Sequence, residues 1–210
     1  MDAGKPVVVS TPLGEVEGLR RTSDSIEAFL GMPYAEPPVG ALRFMPAQTK
    51  TAWTGKVDAH KYGHRCLQGG LYGVGTKWGE GSEDCLLVNV WRPADTTPRS
   101  NLPVMFFIHG GAWAFGSGGA IEEGSNDHIA MFDGGKLASA GVIMVTINYR
   151  LAGLGFMRSS DGVGGGSGGL NGVNDQIVAL QWARVGEGGA VILHYLEVYH
   201  LLVPADRSPI

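Results

Sequence analysis

The sequence predicts an α/β fold in which antiparallel N-terminal strands lead into a mostly parallel sheet. Two short apolar runs, Val104–Ile108 and Val142–Asn148, are typical of strands in a sheet that is covered by helices. Gly134–Ala140 lies between them and can form a short helix, so the three elements make a βαβ unit with parallel strands. Upstream, Val7–Ser10 and Glu15–Leu19 flank the turn signal Thr-Pro-Leu-Gly and predict an antiparallel hairpin.

The remaining elements follow from shorter patterns. Ile26–Leu30 is a third strand candidate, and Leu86–Trp91 is predicted to be a strand that Pro93 ends. Between them, residues 31–81 are rich in Pro, Gly and Trp and show little periodicity. A compact domain tolerates such a long irregular segment mainly where it lines a functional feature. From Asp175 onwards a helix is predicted, with one apolar face made of Ile177, Leu180, Trp182 and Ala183.

The most informative stretch is the apolar strand at 104–108 together with the glycines that follow it. We expect Val104–Ile108 to be buried on both faces, and it runs without a spacer into His109, Gly110 and Gly111. Two glycines permit backbone angles and close approaches that a Cβ atom would block. Such a loop can direct backbone N–H groups into a cavity, where they would stabilise negative charge that develops on an oxygen. The next residue, Ala112, also supplies an N–H group.

Composition excludes several classes of protein. The 210 residues are 44% hydrophobic and 17% charged, as in a globular chain. A formal net charge of -4 without a basic stripe argues against nucleic acid as a partner. No apolar run reaches the length of about 18 residues that a membrane-spanning helix needs. The two cysteines, Cys66 and Cys85, could form a disulfide or remain two buried thiols, and residues 1–6 lack the pattern of a signal peptide, which favours free thiols.

Several motifs together resemble the type-B carboxylesterases, the α/β-hydrolase family that includes cholinesterases. They follow the family's order over residues 7–185, and the Glu-Asp-Cys-Leu segment is the most specific of them. The motifs are FLGMPYAEPPVG at 29–40, LRF at 42–44, SEDCLLVNVW at 82–91, HGG at 109–111, NYR at 148–150 and DQIVALQW at 175–182. The resemblance implies the N-terminal part of an α/β-hydrolase fold, incomplete at its C-terminal side. It also implies hydrolysis of a small-molecule carboxylic ester by a serine, histidine and acid triad, with no cofactor and no metal.

The resemblance assigns roles to eight residues of this chain. Gly111 and Ala112 match the two loop positions whose backbone N–H groups form the oxyanion hole of the family. The other six match structural features, namely a disulfide between Cys66 and Cys85 and ion pairs between Arg43 and Glu83 and between Arg150 and Asp175. Surface solvation is the simpler interpretation of these four charges. The family spacing favours the pairs, because a buried carboxylate needs such a partner.

The resemblance ends near residue 185, and the catalytic triad is not recognisable in these 210 residues. We therefore divide the chain into residues 1–185, the N-terminal part of a carboxylesterase-type domain, and 186–210, a divergent tail. Ser167 satisfies the letters of G-x-S-x-G, but no strand precedes it and a flexible loop is the better interpretation. His194 and His200 lie in the tail without an orienting partner, and His109 is expected to shape the loop backbone. The sequence thus predicts a truncated, inactive form of a serine esterase; the alternative is a non-catalytic interaction protein on the same scaffold.

The sequence allows fewer expectations about the tail, about self-association and about the location of the protein in the cell. Ile192, Tyr195, Leu196, Tyr199 and Val203 have the spacing of a helix face, although the composition of the tail fits a strand almost as well. Either element could cover a sheet edge, and an uncovered edge would promote self-association. Localisation stays open, with the cytoplasm slightly favoured by the missing signal pattern.

Overall fold

The computed structural model describes residues 4–69, 81–97, 100–119, 132–158 and 168–184. All the strands that the sequence predicts are present in one mixed sheet. The helices predicted at 134–140 and from Asp175 onwards are also present. The strands are β1 (Lys5–Thr11), β2 (Gly14–Arg21), β3 (Ile26–Pro33), β4 (Lys56–Asp58), β5 (Leu87–Pro93), β6 (Val104–Ile108) and β7 (Ile143–Ile147). The helices are α1 (Gly135–Ser139), α2 (Ala152–Phe156) and α3 (Asn171–Arg184), and Gly40–Leu42 forms a 3-10 turn.

The sheet has the strand order β1-β2-β3-β5-β7-β6, with β4 paired to β2. Neighbours from β1 to β7 along this order are antiparallel, whereas β6 and β7 are parallel, as are β2 and β4. The β1–β2 hairpin and the parallel β6–α1–β7 unit therefore confirm the two predictions on which the fold class rests. Antiparallel strands lead into a parallel pair at the far end of the sheet.

The position of β6 in the sheet differs from the prediction. We expected Val104–Ile108 to be buried on both faces, but Met105 is 47% exposed and Ile108 is 38% exposed. The strand that is buried throughout is β7, whose five residues are all buried between β5 and β6. In the described residues β6 pairs with β7 alone, so its other edge has no partner there. The expectation was wrong because apolar residues show that a strand can be buried on both faces, whereas its actual burial depends on the elements that pack against it.

The irregular segment contains one strand that the sequence pattern did not reveal. Lys56–Asp58 pairs in parallel with Glu15–Glu17 of β2, and the pattern did not reveal this strand because it is short and polar at both ends. The surrounding residues pack against the sheet: Tyr34 is fully buried, and its hydroxyl donates a hydrogen bond of 2.8 Å to the backbone oxygen of Asn148. The described part of the segment, residues 31–69 and 81, is therefore largely irregular in its backbone and held by its contacts with the sheet.

Helix α3 is present, but its buried face agrees with the predicted one only at Ala183. Ile177 is 47% exposed, and Leu180 and Trp182 are only half-buried. The buried residues are Asn171, Gly172, Asp175, Val178, Ala179 and Ala183. Asp175 points inward because it pairs with a buried arginine, and this pair sets the rotation of the helix about its axis. Apolar periodicity alone assigned Ile177 to the wrong side.

Candidate active site

The candidate site is the glycine loop, residues 109–118, which starts directly at the end of β6. Four of its residues have positive φ angles, namely 121° at Gly111, 53° at Ala112, 58° at Trp113 and 125° at Gly116. The carbonyl oxygen of Gly111 accepts hydrogen bonds from the N–H groups of the third and fourth residues after it, at 3.0 and 3.2 Å. The chain thus reverses direction tightly in this loop. The two largest positive φ angles, at Gly111 and Gly116, are ones that favour glycine.

The backbone donors of this loop that remain available include those of Gly111 and Ala112. Within the residues that the structure describes, no hydrogen bond uses the N–H group of Gly111 or of Ala112. Ala112 and Trp113 are exposed, so the turn between them is open to a ligand or to solvent. A buried backbone donor without an acceptor would be costly, but an exposed one can hydrogen-bond to water until a negatively charged oxygen replaces it.

His109 is a structural residue of the loop. Its side chain is buried and stacks on Tyr149 with ring centroids 4.5 Å apart, and the Tyr149 hydroxyl donates to the His109 backbone oxygen at 3.0 Å. Burial lowers the pKa of His109, which keeps the imidazole neutral near neutral pH. Its Nδ1 lies 2.8 Å from the Gly110 oxygen, and because that oxygen can only accept, Nδ1 carries the proton. These contacts support the expectation that His109 shapes the backbone.

The far end of the loop is held by buried polar side chains of the two central strands. The N–H group of Gly118 donates to Asn148 Oδ1 at 2.8 Å. The Gly118 oxygen accepts from Asn89 Nδ2 at 3.3 Å and from the Thr146 hydroxyl. Asn89 and Thr146 also hydrogen-bond to each other at 3.0 Å, so both polar groups of Gly118 are satisfied by a small network inside the sheet.

A third contact fixes the middle of the loop. Gln68 is 5% exposed, and its side-chain amide meets the backbone of Gly116 in both directions. Gln68 Oε1 accepts from the Gly116 N–H group at 2.9 Å, while Nε2 donates to the Gly116 oxygen at 3.0 Å. The same Nε2 donates to the Cys66 oxygen at 3.0 Å.

The remaining residues with family-assigned roles lie around this site. A disulfide joins Cys66 and Cys85, with an S–S distance of 2.01 Å, so the interpretation with two free thiols does not describe this structure. Arg150 donates three hydrogen bonds to Asp175, from its backbone N–H group, Nε and Nη2, at 2.7–2.9 Å, and both side chains are buried. Arg43 Nε lies 2.6 Å from a Glu83 carboxylate oxygen, but the Arg43 side chain is 46% exposed, so this pair is solvent-screened.

Sequence reasoning missed the residues that hold the loop. Gln68, Asn89, Thr146 and Tyr149 are distant in sequence and meet at the loop only in the folded chain. Asn89 and Tyr149 lie inside the SEDCLLVNVW and NYR motifs, so polar residues inside otherwise apolar motifs were the available signal. Ser167, His194, His200 and the tail 186–210 lie outside the described residues.

In the described ranges, no group of three or more His, Cys, Asp or Glu side chains is arranged to hold a metal ion. None of the helices in these ranges combines the length and the apolar character that crossing a bilayer requires.

The sequence profile of the carboxylesterase family matches residues 5–185. The chain belongs to this family. Para-nitrobenzyl esterase of Bacillus subtilis is 41% identical over 180 residues, which are 84% of this carboxylesterase-family chain and 34% of the relative. A carboxylic ester hydrolase of Bombus ignitus is 40% identical over 181 residues, covering 84% of this chain and 30% of that protein.

Solved structures agree with the family assignment. EstA of Aspergillus niger superposes with a TM-score of 0.70 at 33% identity, covering 85% of this chain and 32% of EstA. The predicted α/β-hydrolase fold, incomplete in this chain, is thereby confirmed. The carboxylesterase-family chain spans about a third of the length of the curated relatives it matches.

Proposed function

We propose that this chain supplies the oxyanion-binding part of a carboxylic ester hydrolase, with the N–H groups of Gly111 and Ala112 as donors. The observation that carries the proposal is that these two N–H groups, at the positions that the family motif assigns to the donors, are among those without an acceptor in the described residues, in a loop held on both sides of them. The para-nitrobenzyl esterase and carboxylic ester hydrolase names of the relatives support an ester as substrate.

The chemistry follows from the position of the donors. When a serine oxygen adds to an ester carbonyl carbon, the π electron pair moves to the carbonyl oxygen, which becomes an oxyanion. Backbone donors near 3 Å from that oxygen stabilise it without reorganising, because the fold has already oriented them. The pair then re-forms the carbonyl and expels the alcohol, which takes up the proton that a base removed from the serine, and water, deprotonated by the same base, releases the acid from the acyl-enzyme.

We further propose that the nucleophile, base and acid of this reaction are not among these 210 residues. The boundary that we infer lies between residues 185 and 186, where the family profile also ends. An oxyanion site without a nucleophile retains at most a small part of the catalysis, so the 210-residue chain is expected to be inactive as an esterase.

Hydrolysis of p-nitrophenyl acetate by the purified 210-residue chain tests this inactivity, together with intact-mass analysis after incubation with an organophosphonate. We expect background hydrolysis and no mass increase. A stoichiometric adduct would show a reactive serine that these arguments missed and would overturn the proposal. The adducted peptide would then be identified by digestion, with Ser167 as the first candidate.

A chimera tests the donor role directly. Residues 5–185 of this chain would replace the matching segment of the Bacillus subtilis para-nitrobenzyl esterase, which supplies the rest of that enzyme. We expect the folded chimera to hydrolyse p-nitrophenyl acetate. A chimera that melts cooperatively and is labelled by the organophosphonate, yet hydrolyses no ester, would count against oxyanion binding by this loop.

Self-association through the edge of β6 is also proposed. Met105 and Ile108 are exposed on this strand, whose outer edge has no partner among the described residues. An open edge with apolar side chains pairs readily with another chain. Size-exclusion chromatography with light scattering is expected to show concentration-dependent oligomers, which Met105→Lys should reduce; a monomer at all concentrations would contradict the proposal.

A further inference from the structure

The other residues that hold the glycine loop lie in β5, in β7 or directly after β7, whereas Gln68 comes from a different part of the chain. It lies in the irregular segment, and it is the only side chain in the described residues that hydrogen-bonds to Gly116. The side-chain amide of Gln68 donates to the carbonyl oxygen of Gly116 and accepts from the N–H group of the same residue, as a neighbouring strand would. Asn has the same amide on a shorter side chain, and Glu keeps the acceptor but loses the donors.

The position of Gly116 makes this contact important for the whole turn. A Cβ atom at Gly116 would lie 2.3 Å from His109 Nδ1 and 2.6 Å from the Gly110 oxygen. Gly116 therefore packs directly against the residues that open the loop, and the loop is nearly a closed ring. The two proposed donors, the N–H groups of Gly111 and Ala112, lie in the part of the loop between these packed ends. Moving Gly116 would consequently redirect both N–H groups.

Gln68 is itself held in place by a residue of the disulfide. Its Nε2 also bonds the Cys66 oxygen, and Cys66 is joined by the disulfide to Cys85, two residues before β5 begins. The amide is 5% exposed, so water does not readily replace these bonds. A chain of contacts thus runs from the sheet through the disulfide and Gln68 to Gly116.

We infer that Gln68 is a positioning residue, which sets the direction of the Gly111 and Ala112 N–H groups through its two-way contact with Gly116. The inference rests on the proposed function for the purpose of the loop. Its structural content, the dependence of the loop on the Gln68 amide, can be measured without catalysis.

The test is made on the 15N-labelled 210-residue chain, by following the backbone amide signals of Gly111, Ala112 and Gly116. Gln68→Leu removes both hydrogen-bonding functions. Loss of the contact is expected to raise amide exchange at Gly116 roughly tenfold, as for the loss of one or two ordinary hydrogen bonds, and to shift the signals of Gly111 and Ala112. Gln181→Glu, a change on the exposed side of α3, is the matched control and is expected to leave these signals unchanged.

Gln68→Glu separates positioning from packing, because it keeps the shape of the side chain. Its carboxylate would face two carbonyl oxygens in a buried place, which raises its pKa above the usual value for Glu. Lowering the pH from about 8 to about 5 should protonate it and restore one donor. The loop signals of Gln68→Glu should therefore return towards those of the wild type as the pH falls, whereas Gln68→Leu and Gln181→Glu should show no such step.

Three results would overturn the inference. The first is a Gln68→Leu chain whose loop signals coincide with those of the wild type. The second is a Gln68→Glu chain that differs from the wild type equally at both pH values. The third is general unfolding of Gln68→Glu at both pH values, which would show that Gln68 stabilises the whole fold and does not act specifically on the loop.

The chimera distinguishes failure of this inference from failure of the proposed function. If the loop donors stabilise an oxyanion, Gln68→Leu in the chimera lowers kcat by roughly 10²-fold, as for a displacement of about 1 Å, and leaves KM little changed. Altered loop signals with an unchanged kcat would leave Gln68 as a positioning residue and reject the oxyanion role of the loop.

Discussion

The sharpest test of the glycine loop is Gly111→Ala, with Gly110→Ala as its matched control. An alanine Cβ at position 111 would lie 1.8 Å from the Phe115 oxygen, so the oxygen would have to retreat by more than about 1 Å to reach the 3.0 Å of the closest real contacts. The φ angle of 121° adds strain of about 1–3 kcal/mol for a residue that carries a Cβ. At Gly110 a Cβ atom meets nothing within 4 Å.

We therefore expect Gly111→Ala to lower the free energy of unfolding of the 210-residue chain by about 1–3 kcal/mol in urea. In the chimera, displacement of a donor should lower kcat for p-nitrophenyl acetate by about 10²–10³-fold. Gly110→Ala should lose at most about 1 kcal/mol of stability and far less kcat, because it leaves both N–H groups in place.

Equal losses of kcat in the two variants would refute the reasoning, since they would show a general sensitivity of the loop to any side chain. Retention of full activity by Gly111→Ala would refute it more strongly. A drop in stability without a drop in kcat would separate the strain at Gly111 from its proposed role as a donor.

Three other predictions follow from the ion pairs and the disulfide. Asp175→Asn should cost about 3–5 kcal/mol of stability, because it strands a buried arginine, whereas Glu83→Gln in the exposed pair should change it by about 0–1 kcal/mol; urea unfolding compares them. Reduction of the disulfide, whose cysteines are 19 residues apart, should lower stability by about 3 kcal/mol in the same assay. Hydrogen bonds from Lys50 and Thr51 lower the pKa of Glu36 to about 2. Because the pKa is depressed, this carboxylate stabilises the fold above its unfolded value of about 4.5, and the contribution is lost as the pH falls towards 2. An NMR titration of Glu36 should show the low pKa, and Lys50→Met should raise it.

Each of these has an outcome that contradicts it. Similar losses in Asp175→Asn and Glu83→Gln would mean that burial does not decide the strength of the two pairs. Unchanged unfolding in dithiothreitol, with reduction verified by mass, would show that the disulfide does not constrain the unfolded chain. A Glu36 that titrates at its ordinary pKa in both chains would remove Lys50 as the cause.

Sequence reasoning identified most of the elements because their signals are local. The β1–β2 hairpin follows from a turn signal between two runs of strand-forming residues, and the β6–α1–β7 unit from two apolar runs around a short helix. The short strand β4 escaped detection because its three residues carry no alternation of apolar and polar side chains. It is held by pairing with β2, in which Val57 lies opposite Val16, 41 residues earlier in the chain.

The sequence was a poorer guide to which faces of α3 and β6 are buried. Ile177 was assigned to the buried face of α3, but the buried Asp175–Arg150 pair turns the helix so that Ile177 faces outward. For β6, the apolar composition suggested burial on both faces, whereas Met105 and Ile108 are exposed at the sheet edge. Both errors arise because hydrophobicity reports what a residue can pack against, and the arrangement of neighbours determines what it does pack against.

The sequence alone determines the family, the order of the elements and the glycine loop, because these depend on motifs and on local backbone preferences. The family motif also assigns the two proposed donors. The contacts that hold the loop could not be read in this way. Gln68, Asn89 and Tyr149 come from three distant segments, and each reaches the loop by a hydrogen bond of its side chain to a backbone group. A backbone group offers the same donor and acceptor at every position of the chain, so only folding selects which side chain it meets.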